Sequence, residues 1–329
     1  MEFCLPLEEW LGDLFETIRN GSSVRTEIFA GVINFFSCLY CLPVLPEQLE
    51  LAGYNKEAVF AAIALISGIG SIVSGIFTNT PLIIAPPTAV TIFLTSSLRS
   101  HEIGPEAGNV AVTYAGIGIV LIGVIAPIGR LISKLVPECI QAATTVGIGL
   151  ITVMAGASEI HFIKQGTYTL LESGNITPEI TIAFSGLIVL GTAMIYHSKV
   201  SYLIALAWGT MVYWSYDNSW PHVWAALPEF KGSKLGDANM ATSEIVIELM
   251  FLNMLTIFGL ARALCDLATI TPSDGSIPNG RYLVTIIGFC NIASGLMNGP
   301  PIVISPETAG GIKAGARTGW VTHSSSTLC

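Results

Sequence analysis

Residues 81–89 read PLIIAPPTA and residues 301–309 read PIVISPETA, so one nine-residue pattern recurs 220 positions along the chain. Each copy has a short apolar or β-branched run, then a proline, then small residues that can begin a helix. A proline at a helix start costs little, because its missing N–H would be unpaired there anyway. Each copy therefore predicts an extended stretch that leads into a half-helix.

The composition around these two segments is typical of a membrane protein. Of 329 residues, 52% are hydrophobic and 11% are charged, with a mean hydropathy of +0.67, whereas soluble domains carry about 25% charged residues. The net charge of −9 argues against a nucleic-acid partner. The apolar residues form ten segments with the length needed to cross a bilayer, at 28–46, 58–78, 82–98, 109–129, 137–157, 179–196, 199–216, 244–262, 281–297 and 300–316.

The two proline-containing segments are the third and the tenth of these ten. Extended backbone is tolerated inside a bilayer only where protein or a cavity surrounds it, and paired broken helices mark the substrate site of many secondary transporters. The alternative is a pair of proline-kinked helices that are similar by chance. Because seven is odd, groups of seven spans enter from opposite sides. We therefore expect an all-α polytopic 7+7 inverted repeat, broken at spans 3 and 10, with about ten spans present and the last four missing.

Several stretches are similar to a known transporter family. The run TEIFAGVINFFSCLYCLPVLP (26–46), PECIQAATTVGIGL (137–150) and PETAGGIKAGARTG (306–319) resemble the adenine/guanine/hypoxanthine permeases. These belong to the nucleobase:cation symporter superfamily, together with the xanthine and uracil permeases. The resemblance implies a transporter rather than an enzyme, purine nucleobase transport, proton coupling, no cofactor and no bound metal.

The resemblance also implies a domain organisation. Core spans and gate spans alternate along the chain, and the substrate lies between spans 3 and 10. The expected divisions are 1–25 (cytoplasmic amphipathic segment), 26–134 (core spans 1–4), 135–216 (gate spans 5–7), 217–243 (extracytoplasmic loop), 244–319 (core spans 8–10) and 320–329 (atypical C-terminal tail). Nine Lys and Arg on the expected inner side against five outside favour a cytoplasmic N-terminus. We also expect the plasma membrane as location, the lipid bilayer as surroundings, and a possible homodimer.

Glu307 is the strongest candidate for substrate binding. A carboxylate inside the membrane is costly, so it is functional by default, and its oxygens can accept N–H donors from a purine edge. The alternative is a carboxylate paired with the backbone of its own half-helix. The resemblance carries Glu307 over from the family's tenth-span glutamate and places Thr308 at the next position.

Departures from the family pattern leave other functions open. The family has two carboxylates in the eighth span, where this chain has Asn253 and Thr256, and an asparagine in the third span, where it has Thr91. Asn253 and Thr256 share a helix face and could contact a base or bond between helices. An anion transporter of similar fold, or an inactive or regulatory truncated membrane protein, are the alternative functions.

The remaining candidate contacts lie in spans 1 and 3. Thr88 and Thr91 lie near the start of the third-span half-helix, and ligand contact and backbone capping are equally expected for them. Aromatic residues of span 1 could stack on a base or could serve packing. The full set of predicted substrate contacts is Glu307, Thr308, Asn253, Thr256, Thr88, Thr91, Ala89 and Phe35.

Overall fold

The computed structural model describes residue 17 and residues 21–125, 138–165, 171–196, 200–217, 240–272 and 276–326. The helices before the first large gap are α1 (Val24–Cys38), α2 (Cys41–Glu50), α3 (Lys56–Thr78), α4 (Thr88–Ser100) and α5 (Pro105–Val124). The later helices are α6 (Glu138–Glu159), α7 (Pro178–Ile195), α8 (Ser201–Asp217), α9 (Met240–Leu267), α10 (Gly280–Leu296), α11 (Thr308–Ala314) and α12 (Trp320–Ser326). The strands are β1 (Ile84–Ala85), β2 (Ile163–Gln165), β3 (Leu171–Ser173) and β4 (Val303–Ile304).

Five helical stretches of the described residues are long and apolar enough to cross a membrane. They are Val24–Glu50, Lys56–Thr78, Pro105–Val124, Pro178–Ile195 and Thr242–Leu267. Helix α10 is apolar but shorter. Each of the ten predicted apolar segments contains at least part of a helix. The chain is therefore an integral, multi-pass helical membrane protein.

The first predicted span differs from the expectation of one helix over 28–46. It runs from Val24 to Glu50 and is interrupted between α1 and α2. Pro43 explains the break, because a proline has no N–H to bond the carbonyl of the fourth residue before it, here Leu39, and its ring crowds that carbonyl. The Leu39 carbonyl instead accepts a bond from the Leu42 N–H at 3.2 Å.

The extended stretches predicted near 81–86 and 301–306 are confirmed. Strand β1 pairs antiparallel with β4, and the register sets Ile84 opposite Ile304 and Ala85 opposite Val303. Helix α4 begins three residues after β1 ends, and α11 begins four residues after β4. The register thus pairs Ile84 with the residue 220 positions away, which is the offset of the repeated sequence pattern.

Two buried polar side chains hold these extended segments. The Ser71 hydroxyl on α3 accepts the Ile84 N–H at 3.0 Å and donates to the Ile84 carbonyl at 3.1 Å. The Asn291 amide on α10 accepts the Ile302 N–H at 3.0 Å and donates to the Ile302 carbonyl at 2.5 Å. Because each strand is only two residues long, these bonds satisfy backbone groups that the ladder leaves unpaired.

Two glycines that are also 220 positions apart permit close helix packing. A Cβ at Gly75 of α3 would lie 1.9 Å from Thr322 Oγ1, and a Cβ at Gly295 of α10 would lie 2.2 Å from Thr113 Oγ1. Helix α10 packs along α5, while α3 packs against α12. Both positions therefore need glycine for the same reason, which is contact with a threonine of a neighbouring helix.

Residues 320–326 form a packed helix within 320–329, the segment predicted as an atypical C-terminal tail. Helix α12 lies against α1 and α3, and its Val321, Thr322 and Ser325 are buried. The hydroxyls of Thr322 and Ser325 donate to the carbonyls of Gly319 and Thr322, at 2.6 and 3.0 Å. This polar sequence can be buried because its hydroxyls bond the backbone of its own turn.

The chain divides into two compact units. The first contains Met1–Thr145 and Pro228–Cys329, and the second contains Val146–Leu227. In the first, a buried apolar cluster joins α2, α3, α4, α5 and α9. In the second, α7 packs against α8, where Trp208 Nε1 donates to Ser185 Oγ at 3.1 Å, and β2 pairs with β3. The paired strands β1 and β4 belong to the first unit.

Candidate functional site

Glu307 is the N-cap residue of α11 and is partly buried. The Tyr40 hydroxyl donates to Glu307 Oε1 at 2.5 Å. The Ser305 hydroxyl donates to Glu307 Oε2. Hydrogen bonds to a charged group are stronger than neutral ones. Both carboxylate oxygens are therefore held by side chains rather than by the backbone of the half-helix, which was the alternative reading of this residue.

The direction of every bond in this network follows from the carboxylate. An ionised carboxylate only accepts, so the hydroxyl hydrogens of Tyr40 and Ser305 both point to Glu307. Thr88 Oγ1 lies 3.2 Å from the Tyr40 oxygen, and Thr88 must then be the donor. Cys38 Sγ lies 3.5 Å from Ser305 Oγ and must donate to it. One carboxylate thus orders hydroxyl and thiol groups from three spans.

The break in the first span brings these groups together. Cys38 ends α1 and contacts Ser305, while Cys41 begins α2 and its thiol donates to the Pro86 carbonyl at 3.8 Å. Tyr40 lies between the two cysteines. The sequence CLYC therefore contacts both proline-containing segments, and its CxxC spacing serves these contacts. Tyr40 is one of the span-1 aromatic residues for which the sequence left stacking and packing open, and this role was missed, although Pro43 three residues later could have indicated it.

Two of the three predicted threonines of spans 3 and 10, Thr91 and Thr308, bond the backbone. Thr91 Oγ1 donates to the Pro87 carbonyl at 3.1 Å. Thr308 Oγ1 accepts the Ile83 N–H at 3.3 Å and so joins α11 to the strand of the other broken span. Ala89 is buried at the start of α4. Of the predicted contacts in these two spans, Thr88 and Glu307 are the ones that share a hydrogen-bond network.

The two polar residues of α9 differ in their partners. Both Asn253 and Thr256 are 0% exposed. Thr256 Oγ1 donates to the Leu252 carbonyl at 2.8 Å, whereas neither amide atom of Asn253 has a hydrogen-bond partner among the described residues. Helix α9 packs against β4 and α11. Asn253 therefore has unused hydrogen-bonding capacity, on a helix that packs against the broken tenth span, and a buried amide without a partner is costly.

Phe35 lines a crevice between α1 and α3 rather than the Glu307 network. Its ring packs edge-on against Phe36, with centroids 5.3 Å apart. Asn34 and Cys38 line the same crevice, and Asn34 Oδ1 accepts the Gly311 N–H at 2.7 Å. Cys38 is therefore the residue that connects this crevice to the Glu307 network. Packing explains the Phe35 ring contact without a ligand.

The chain has membrane-spanning helices, two broken spans with paired strands, and a hydrogen-bonded carboxylate at the half-helix. Together these features define a multi-pass membrane transporter. No group of three or more metal-ligating side chains occurs among the described residues. Residues 25–329 match the family model Xan_ur_permease, described as a permease family. The chain belongs to this permease family, whose members are transporters and not enzymes.

Individual relatives agree with this membership. The chain is 23% identical over 314 residues to the adenine permease AdeP of Escherichia coli (strain K12), covering 93% of this chain and 70% of that protein. It is 27% identical over 336 residues to the guanine/hypoxanthine permease GhxP of Escherichia coli O157:H7, covering 95% and 72%.

A solved structure shares the fold. It is the transmembrane domain of a cyanobacterium bicarbonate transporter, BicA, with a TM-score of 0.67 and 18% identity. The match covers 92% of this chain and 80% of that domain. At this identity the likeness concerns the fold alone.

Proposed function

We propose that this permease transports a purine nucleobase and that Glu307 binds it. The observation that carries the proposal is the half-helix N-cap carboxylate, whose two oxygens are held by Tyr40 and Ser305. Each carboxylate oxygen can accept two hydrogen bonds, so each keeps one position for a ligand N–H. Relatives named as adenine and guanine/hypoxanthine permeases support the same substrate class.

Asn253 is the second proposed contact. An amide offers a donor and an acceptor side by side, as do the edges of purine bases. The unpartnered Asn253 amide could bond a base that is held by Glu307. We also propose that transport is coupled to protons. Transport into proteoliposomes should then rise when a pH gradient is imposed, and no response to the gradient would overturn proton coupling.

We further propose that the two halves of the fold form an inverted repeat. The antiparallel register of Ile84 with Ile304 and the repeated sequence pattern support one offset of 220 residues. Ser71 and Asn291 have the same offset, although the residues that they bond, Ile84 and Ile302, are not at equivalent positions. In this proposal, the unit that contains β1 and β4 is the core and Val146–Leu227 belongs to the gate. The N-terminus faces the cytoplasm of a cell whose plasma membrane holds the protein.

The same carboxylate weighs against the anion-transporter alternative. A substrate anion at the α11 N-terminus would meet Glu307, and like charges close together repel. The fold shared with a bicarbonate transporter supports no particular substrate. A neutral base with N–H donors fits this electrostatic environment better.

The test is binding of adenine, guanine and hypoxanthine to the purified protein by calorimetry. Glu307→Gln keeps the size but removes the charge, and the loss of one charge-assisted hydrogen bond costs about 1.5–3 kcal/mol. Binding should weaken about 10- to 100-fold. Glu57→Gln, in the exposed first turn of α3, is the matched control and should leave affinity unchanged. An unchanged affinity in Glu307→Gln would overturn the role of Glu307, and a wild type that binds none of the three would overturn the substrate class.

A further inference from the structure

We propose that Tyr40 is a positioning residue of this binding site, which fixes Glu307 for the ligand and ties the two half-helices together. The proposal rests on the proposed function, because it concerns the same carboxylate. Tyr40 lies at the break between α1 and α2, a place that neither of the repeated proline segments supplies.

The contacts of Tyr40 reach both half-helices. Its hydroxyl donates to Glu307, the N-cap residue of α11, and accepts from Thr88, the first residue of α4. Strands β1 and β4 join the segments that precede these helices. Tyr40 joins the helix starts themselves, so one phenol oxygen couples the geometry of both.

Tyr40 bonds Glu307 without blocking the binding site. Tyr40 and Ser305 each use one acceptor position on a separate oxygen of Glu307. Each oxygen has a second position. A ligand N–H can therefore bond Glu307 without displacing Tyr40, and it meets a carboxylate whose rotamer is already set. Holding a side chain in its bound conformation removes an ordering cost that binding would otherwise include.

Tyr40→Phe removes only the hydroxyl and keeps the ring. Glu307 then loses one of its two holding bonds, and nucleobase affinity should fall about 10-fold. Tyr114→Phe is the matched control, because Tyr114 on α5 is exposed and has no part in the network; its affinity should equal that of the wild type. Equal affinity of Tyr40→Phe and wild type would overturn the proposal, and so would tighter binding, since that would mean Tyr40 competes with the ligand.

A ligand-free measurement separates this proposal from the proposed function. Unfolding midpoints of Tyr40→Phe, Glu307→Ala and the double variant form a cycle that isolates the pairwise interaction. We expect the double variant to lose clearly less than the sum of the two single losses. Additive losses would overturn the holding contact even if nucleobases bind. If the wild type binds no nucleobase while the cycle shows coupling, the proposed function fails and Tyr40 is a structural brace only.

Discussion

Ser71 and Asn291 occupy positions 220 residues apart, and each bonds both a backbone N–H and a carbonyl of the extended segment that follows its own helix. Ser71 does this with one hydroxyl, which is donor and acceptor at once. Asn291 uses separate amide atoms and also donates to the Ile287 carbonyl at 2.9 Å. Each extended segment is therefore held by two bonds from its clamping side chain, and the third bond of Asn291 anchors that amide to its own helix.

Removing either side chain should destabilise the protein. Asn291→Ala leaves the Ile302 N–H and carbonyl without their side-chain partners, Ser71→Ala does the same to Ile84, and unpaired buried groups cost about 1–3 kcal/mol each. We expect a loss of roughly 2–4 kcal/mol for each variant. Denaturant unfolding in detergent measures both. Ser96→Ala, on the exposed face of α4, should change the free energy of unfolding by less than about 0.5 kcal/mol. A loss no larger than that of Ser96→Ala in either variant would contradict a holding role for that side chain.

Neighbouring glycines of α11 should respond differently to alanine. A Cβ at Gly311 would lie 2.4 Å from three atoms of Asn34, whereas the nearest atom to a Cβ at Gly310 is Ser37 Oγ at 3.4 Å. Asn34 cannot move away without losing the Gly311 N–H. We expect Gly311→Ala to lower the free energy of unfolding by about 1–3 kcal/mol. Gly310→Ala should have little effect or stabilise slightly. Equal losses of stability in Gly311→Ala and Gly310→Ala would show that α1 shifts at Asn34 to accommodate the added methyl group.

Tyr54→Phe should stabilise the protein. Tyr54 lies in the turn between α2 and α3, is buried, and its hydroxyl has no hydrogen-bond partner among the described residues. A tyrosine hydroxyl is neutral near pH 7, and burial raises the pKa of Tyr54 further. Deleting an unpaired buried hydroxyl should add about 1 kcal/mol to the free energy of unfolding. Tyr114→Phe on the exposed face of α5 provides the comparison and should change nothing. Loss of stability in Tyr54→Phe would reveal a bound water or another partner at this hydroxyl.

Cys38 should react with a maleimide faster than Cys41, and a bound nucleobase should slow it. Cys38 is partly exposed and belongs to the Glu307 network, whereas Cys41 is 3% exposed. Peptide mass spectrometry separates the two sites. Cys139 is exposed on α6, outside the network, and its labelling rate should be the same with and without nucleobase. If nucleobase slows Cys139 as much as Cys38, the protection is a general change in the protein and not occupation of this site.

The broken spans could be predicted because their cause is local. A proline after a short apolar run, repeated in two segments, specifies an extended stretch and a helix start without any knowledge of packing. The break in the first span has the same kind of cause in Pro43. This break was missed because the Pro43 segment has no similar segment in the other half and because proline is common in membrane helices.

The Tyr40 partner of Glu307 could not be predicted, because it depends on a tertiary contact, whereas Ser305 lies two residues from Glu307 in the same segment. Tyr40 and Glu307 are separated by 267 positions, and periodicity within one helix says nothing about such a pair. The burial of α12 could not be predicted either. Its polar sequence is typical of a tail, and its burial depends on Gly31 and Gly75, which make room for Ser324 and Thr322.

The register of β1 with β4 places Ile84 against its own counterpart, Ile304. If the two segments arose by duplication of one ancestral segment, a mutation of the isoleucine in that ancestor changed both sides of this contact. Once the two copies could mutate independently, each had to remain compatible with the other. Away from the point of contact that restraint is absent: Pro87 and Glu307 hold corresponding positions and have diverged completely. In the proposed inverted repeat, the strand pair would thus preserve the shared ancestry of the two halves, while the residues just beyond it were free to become the proposed one-sided binding site.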